Sequence, residues 1–292
     1  MGKVVVFGGA GFIGSHVADH LSAAGYNVTI HDLSPSQHVL HNQDMVVGNL
    51  LDLDSVIKVV ENADVVFNFA AISDLNEALT MPVDTARVNV LGNVNVLEAC
   101  RTQGVSRYVY ASSVYVNSRE GGFYGCSKKA AELFIQEYQR TYGLNYTILR
   151  YGSLYGPRAD SRNGLRRIVY GALRDGSLKY NGSKDALRDY IHVRDAALAS
   201  VDALKDCFIN KKLILTGHQP IKVIDLLGML AEMIDVPESA VEFRAADYKG
   251  HYIRTPFHYE SDIAEKYVPQ TYIDLGEGLL ELIRSYHDEN EA

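Results

Sequence analysis

The sequence predicts an α/β protein with a doubly wound parallel sheet, and three observations carry that prediction. A continuous apolar run, a glycine-rich turn and an amphipathic stretch open the chain. Short apolar runs then alternate with helical stretches through the first half, the pattern of parallel strands joined by right-handed crossovers. Small and polar residues follow several predicted strands, and functional groups gather at the carboxyl ends of strands in such sheets.

Lys3–Phe7 is the first strand, with three consecutive valines. It feeds Gly8-Gly9-Ala10-Gly11-Phe12-Ile13-Gly14 and a helical run from Ser15 to Ala24. A strand, glycine turn and helix in that order predict a dinucleotide site. Gly8 permits a tight turn, Gly11 lets the backbone approach a pyrophosphate, and Gly14 lets helix and strand pack closely. Phe12 and Ile13 lie where the helix start offers free N–H groups and a positive dipole end to the phosphates. Asn27–His31 is the second strand and ends at Asp32, an acidic residue placed to bind ribose hydroxyls. No Arg or Lys lies between Leu33 and Leu40 to hold a 2′-phosphate, so the expected cofactor is NAD, not NADP.

Met45–Val47 is a third strand, followed by Gly48-Asn49-Leu50, and Asp52 or Asp54 caps a helix running through Asn62. Asp64–Phe69 is the fourth strand. The small residues at Phe69-Ala70-Ala71 let backbone lie against a cofactor. A long helix from Val83 to Thr102 contains Asn89, and Arg107–Ala111 is a fifth strand running into Ser112-Ser113.

Phe123-Tyr124-Gly125-Cys126-Ser127-Lys128 opens a helical stretch through Tyr142. Tyr124 and Lys128 are four apart, so they share a helix face one turn apart. With Ser113 on a strand end, they form a candidate catalytic trio. A free tyrosine ionises near pH 10. A nearby ammonium and an oxidised nicotinamide both favour the phenolate, which then accepts an alcohol proton as hydride leaves the same carbon. Ser113 hydrogen-bonds that oxygen as it becomes a carbonyl.

Composition narrows the function. The chain has 292 residues and a net charge of −8, which argues against a general nucleic-acid binder. It shows no long apolar run, signal peptide or lipidation motif, so a soluble cytoplasmic protein without membrane attachment is expected. Cys100, Cys126 and Cys207 have no metal spacing and fit reduced intracellular thiols, so no metal is expected. Asp288–Ala292 has the look of a frayed acidic tail.

In the second half, Asn145–Arg150 is a sixth strand leading into Tyr151-Gly152-Ser153-Leu154-Tyr155-Gly156-Pro157, placed for the nicotinamide end of a cofactor. Leu165–Arg174 is helical. Arg188 precedes a strand-like Asp189–Val193, Asp195 begins a helix ending near Leu204, and His192 is read as a packed structural histidine. Lys212–Leu215 is a strand. Val223–Ile234, Ser261–Tyr267 and Leu275–His287 are helices.

These motifs together resemble the NAD-dependent nucleotide-sugar epimerase/dehydratase family of extended short-chain dehydrogenases/reductases. The residues carrying the resemblance are Gly8–Gly14, Asp32, Ser112-Ser113, Tyr124–Lys128, Arg150–Pro157 and Arg188–Asp195. It implies a Rossmann-like sheet with a smaller C-terminal substrate-binding domain. NAD would be held by residues 1–156 and 187–217, and substrate by 157–186 and 218–292. The resemblance adds Asn49, Leu50, Asn89 and Tyr151 to the cofactor site. It assigns a nucleotide-diphosphate sugar to Ser113, Ser153, Arg188 and Arg254, the arginines suiting phosphate oxygens. It also implies a homodimer through a four-helix bundle built from the helices near Val83–Thr102 and Tyr124–Tyr142.

This chain departs from the family in four places. Asn49 stands where the family often has Asp, and Ser153 where it usually has Asn. Only ten residues separate Ser113 from Tyr124, fewer than in most sugar epimerases. Val114 and Tyr115 stand where sugar 4,6-dehydratases carry acids, which argues against dehydration. The expected reaction is epimerisation of a nucleotide sugar at C4. Alternatives are a nucleotide-sugar dehydrogenase or 4-ketoreductase, a decarboxylase, or a non-catalytic NAD-binding sensor.

Overall fold

The structure is a computed structural model that describes residues 2–244, 265–267 and 269–291. Its centre is a parallel sheet. Strands β1 (Lys3–Phe7), β2 (Asn27–Asp32), β3 (Gln43–Val47), β4 (Val65–Asn68), β5 (Arg107–Ser113) and β6 (Tyr146–Tyr151) are joined by Lys211–Leu215 and by Glu265–Lys266 at one edge. The spatial order is β3-β2-β1-β4-β5-β6, then Lys211–Leu215 and Glu265–Lys266, with every neighbouring pair parallel. The chain winds outward one way from β1 and the other way from β4, so a crevice opens between their carboxyl ends.

The helices are α1 (Phe12–Ala23), α2 (Leu53–Val60), α3 (Leu75–Thr80), α4 (Pro82–Ala86), α5 (Asn93–Gln103), α6 (Gly122–Tyr142), α7 (Gly164–Asp175), α8 (Val193–Asp202), α9 (Val223–Met233) and α10 (Leu275–Glu291). Strand alternation explains how both faces of the sheet are covered. Val4 and Val6 join the core under α1 and α8, with Val17, Leu21 and Ala199. Val5 and Phe7 join the core under α2, α5 and α6, with Val60, Leu97 and Ile135. A third apolar cluster, including Leu165, Leu227, Leu230 and Leu279, is built from α7, α9 and α10. No helix among the described residues is long and apolar enough to cross a membrane.

Several local expectations change. The helix expected from Val83 to Thr102 is continuous but loosens into a π turn, Arg87–Gly92, between α4 and α5. Gly92 makes room there for Leu50, because a Cβ would lie 2.7 Å from the Leu50 side chain. Glu265–Lys266 is an edge strand paired with Leu213 and Ile214, not part of a helix, and a two-residue strand has no periodicity to detect. The helix expected to begin at Asp195 starts at Val193, with His192 as its N-cap accepting from Arg194 N–H at Nδ1. The expected frayed tail is helical through Glu291, and Arg166 meets Glu289 at 2.8 Å. Short pairings also appear that the sequence did not announce. Ser153–Tyr155 runs parallel to Tyr190–His192, and Leu178–Asn181 to Val241–Arg244.

Candidate active site

The glycine turn sits at the crevice. Gly8 has φ +72°, and a Cβ on it would lie 2.5 Å from the Ala70 backbone nitrogen. Gly8 therefore supplies both a left-handed turn and contact with the chain leaving β4. A Cβ on Gly14 would lie 2.2 Å from the Gly8 carbonyl oxygen, so helix and turn touch there. Gly11 is different: within 4 Å its Cβ would meet only the Gly8 oxygen, at 3.2 Å. No side chain caps α1 at Gly11, and the first N–H groups of a helix have no partner within it. The N–H groups at Phe12 and Ile13 are thus placed as anion donors.

Asp32 faces the same turn. Its Oδ2 accepts from Ala10 N–H at 3.0 Å and its Oδ1 from Leu33 N–H at 2.8 Å. Two carboxylate oxygens have about four acceptor positions, so the brace leaves capacity for a diol. Phe69, Ala70 and Ala71 are half-buried, and Phe69 N–H donates to the Phe7 carbonyl at 2.8 Å. Anion donors, a diol acceptor and a surface of small residues meet at one crevice, and this donor set fits a dinucleotide. Asn49 is exposed, with Oδ1 accepting from Leu51 N–H at 2.9 Å.

Three expected cofactor residues have their side chains engaged elsewhere. Leu50 is 4% exposed and packs in the core against Gly92, so its side chain cannot line the crevice. Asn89 lies buried in the π turn. Its Nδ2 donates to the Ile72 carbonyl and to Ser127 Oγ, both at 2.9 Å, and its Oδ1 accepts from Ile72 N–H at 2.8 Å. Both amide protons are occupied, so Asn89 holds the loop after β4 against α6 and has no donor for a ligand. Tyr151 shares the sheet face of Leu149, and its hydroxyl meets Ser200 Oγ at 2.7 Å inside the core.

The catalytic candidates do come together. Ser113 ends β5 and caps the turn Val114–Asn117, its Oγ accepting from Tyr115 N–H at 3.3 Å. The Ser113 hydroxyl is a neighbour of the Tyr124 phenol, on the first turn of α6. The Tyr115 ring stands edge-on to Tyr124, centroids 6.3 Å apart. Lys128 is buried one turn further on, where its Nζ donates to the Ala111 carbonyl at 2.7 Å and lies 5.8 Å from the Tyr124 ring centroid.

Burial dominates the electrostatics of the pair. It pushes the Tyr124 phenol up to about 12, opposed by the nearby Ser113 hydroxyl. It pushes the Lys128 amine down to about 7, opposed by the Glu132 carboxylate. The phenolate favoured by the sequence argument is therefore not the resting form of these side chains alone, because Lys128 is directed at a β5 carbonyl. Glu132 itself escaped the sequence reading. Its one available signal is its spacing, four residues after Lys128 and eight after Tyr124.

Of the expected substrate contacts, Ser153 is half-buried in the short strand paired with Tyr190–His192. Arg188 is 7% exposed, and donates to the Leu187 carbonyl at 2.9 Å and Tyr180 Oη at 3.2 Å. Arg254 lies outside the described residues.

Fold and trio define an extended short-chain dehydrogenase/reductase. The chain belongs to the NAD dependent epimerase/dehydratase family, which its residues 4–212 match. A UDP-glucose 4-epimerase of Mycolicibacterium smegmatis is 31% identical, across 69% of this chain and 72% of its own. A UDP-N-acetyl-alpha-D-glucosaminuronate decarboxylase of Bacillus cytotoxicus is 28% identical, across 76% of this chain and 77% of its own. Among solved structures, a Thermus thermophilus UDP-glucose 4-epimerase in complex with NAD is similar at TM-score 0.81 and 26% identity. That match covers 98% of this chain and 99% of the other.

Proposed function

We propose that the protein is an NAD-dependent nucleotide-sugar epimerase that oxidises and re-reduces a sugar hydroxyl at C4. The observation that carries this is Tyr124 with buried Lys128 one turn further along α6, beside Ser113 at the end of β5 and the strand ends that also hold the glycine turn. When bound, NAD supplies the acceptor for the hydride and returns it. Tyr124 takes the hydroxyl proton at its phenol oxygen and later gives it back. Ser113 accepts from Tyr115 N–H, which leaves its own O–H to donate to the substrate oxygen as a carbonyl forms. The Lys128 ammonium favours the phenolate through the low-dielectric interior.

Arg188, with Arg254, anchors the diphosphate in this account, and the sugar turns over between the two hydride transfers. Residues 1–156 and 187–217 hold NAD, and 157–186 with 218–292 hold the substrate. The UDP-glucose 4-epimerase relatives support a UDP-hexose substrate. The test is incubation of UDP-glucose with enzyme and catalytic NAD. A redox-neutral C4 stereoisomer without net NADH is the expected result. NADH formed one for one with a keto product when NAD is supplied in excess would make the protein a dehydrogenase, and release of carbon dioxide when UDP-glucuronic acid replaces UDP-glucose would make it a decarboxylase.

The proposal includes a homodimer. Val83 and Leu91 around the π turn, and Leu133 and Phe134 on α6, are 66%, 52%, 58% and 44% exposed. Apolar side chains in these numbers on two adjacent helices suit burial against a second copy, giving a four-helix interface.

A further inference from the structure

The buried face of α6 carries one more charged group, which the proposed cycle does not use. Tyr124, Lys128 and Glu132 follow at four-residue spacing, so they lie in a row along the helix. Glu132 is 1% exposed. Its Oε1 accepts from Ser112 Oγ at 2.5 Å and Arg150 Nε at 3.0 Å, and its Oε2 accepts from Arg150 Nη2 at 2.7 Å. Lys212 Nζ stands 3.7 Å from Oε2. Ser112 and Arg150 are register partners across β5 and β6. One carboxylate therefore ties α6 to two adjacent strands, one residue before Ser113 and one before Tyr151.

The surroundings of Lys128 give this clamp a second consequence. Lys128 faces Tyr124 on α6 and the Tyr110 ring and Ala111 carbonyl on β5, with Glu132 one helical turn further on. Arg150 on β6 and Lys212 on the next strand lie behind Glu132. A carbonyl and ring faces do not offset the burial of a full positive charge, whereas a nearby carboxylate offsets part of it. Glu132 is the group whose charge opposes the desolvation of Lys128.

We infer that Glu132 is a positioning residue for the trio: it fixes the register of α6 on β5 and β6, and its carboxylate favours the charged form of the buried Lys128 amine one turn away. This rests on the reading of Lys128 as the group that favours the Tyr124 phenolate. A clamp alone would predict lost activity at every pH. A clamp that also holds charge predicts a loss that shrinks as pH falls, because acid restores the ammonium without help from Glu132.

The test follows the Lys128 Nζ titration by NMR in protein carrying isotope-labelled lysine, with the signal assigned by its absence in Lys128→Met. In Glu132→Gln the midpoint is expected to fall by about one pH unit, about tenfold in the charged-to-neutral ratio at fixed pH. Activity relative to wild type should rise as pH falls. Glu132→Asp, which keeps the charge, should restore the midpoint. If Glu132→Gln does not fold, the double variant with Arg150→Gln removes the ion pair as a unit and should lower the midpoint in the same direction. An unchanged Lys128 midpoint in a folded variant, with a pH-independent activity loss, would overturn the inference. The titration needs no turnover, so an inactive wild type would count against the proposed reaction and leave this test intact.

Discussion

The two faces of α6 depart from the usual order of an amphipathic helix. Its inward face buries the polar Ser127, Lys128 and Glu132 beside the apolar Ala131 and Ile135, while Phe123, Leu133 and Phe134 are exposed. An ordinary surface helix turns its apolar stripe to the core. Here inward polar groups are tolerable because each has a partner. Lys128 donates to Ala111, Ser127 bridges Asn89 and the Tyr124 carbonyl, and Glu132 binds Arg150 and Ser112. Polar groups are buried where they hold or perform chemistry. Apolar groups are left outside where, in our proposal, a second copy covers them.

The sharpest way to break this comparison is on the inward face. Tyr124→Phe removes the proton acceptor and keeps the ring, so kcat should fall about 10²–10⁴-fold with NAD affinity retained. Steady-state kinetics with direct NAD titration checks it, and near-normal turnover would dismiss Tyr124 as the base. Ser113→Ala, which removes one donor to the developing carbonyl, should cost about 10²–10³-fold in kcat.

The outward face is expected to respond in a different quantity. Leu133→Glu with Phe134→Glu should convert a dimer to a monomer in light scattering, with the trio undisturbed. A wild-type monomer would remove the dimer from the account. Asp32→Ala should weaken NAD by about tenfold through loss of charged hydrogen bonds to a diol. An unchanged dissociation constant would show that the Asp32 carboxylate serves only the Ala10 and Leu33 amides.

The smallest effect contrasts two buried bases. Lys128 has a carboxylate in its surroundings, whereas His16 is held at Nε2 against the Pro157 carbonyl at 3.0 Å, and burial pushes its imidazole down to about 4. Between pH 6.5 and about 4 the unfolded chain binds a proton there that the folded chain refuses. Stability from this group is therefore full above pH 6.5 and is lost as pH falls towards 4. His16→Gln should flatten that part of a denaturation series, and an identical slope would locate the acid sensitivity elsewhere.

Much of the fold was legible because β1 is covered on both faces and reads as an unbroken apolar run, while glycine positions announce the turn beside it. The Tyr124–Lys128 pair was legible because its spacing is local. The direction of the Tyr151, Leu50 and Asn89 side chains was not legible, because nearness in sequence to a strand end does not say which way a side chain points. Tyr151 follows the parity of Leu149 into the core, Leu50 fills the gap left by Gly92, and Asn89 is turned onto Ile72 and Ser127 by the π segment. Glu132 was invisible as a site residue because its partners, Ser112 and Arg150, are distant in the chain and meet only through sheet register.

The central claim is that one site removes hydride from C4 and returns it to the same carbon. The most direct measurement uses UDP-glucose carrying deuterium at C4, with catalytic NAD and no external NADH. NMR should show the deuterium retained at C4 of the epimerised sugar. Loss of the label to solvent during epimerisation would mean that C4 is inverted by proton abstraction, and would contradict the account.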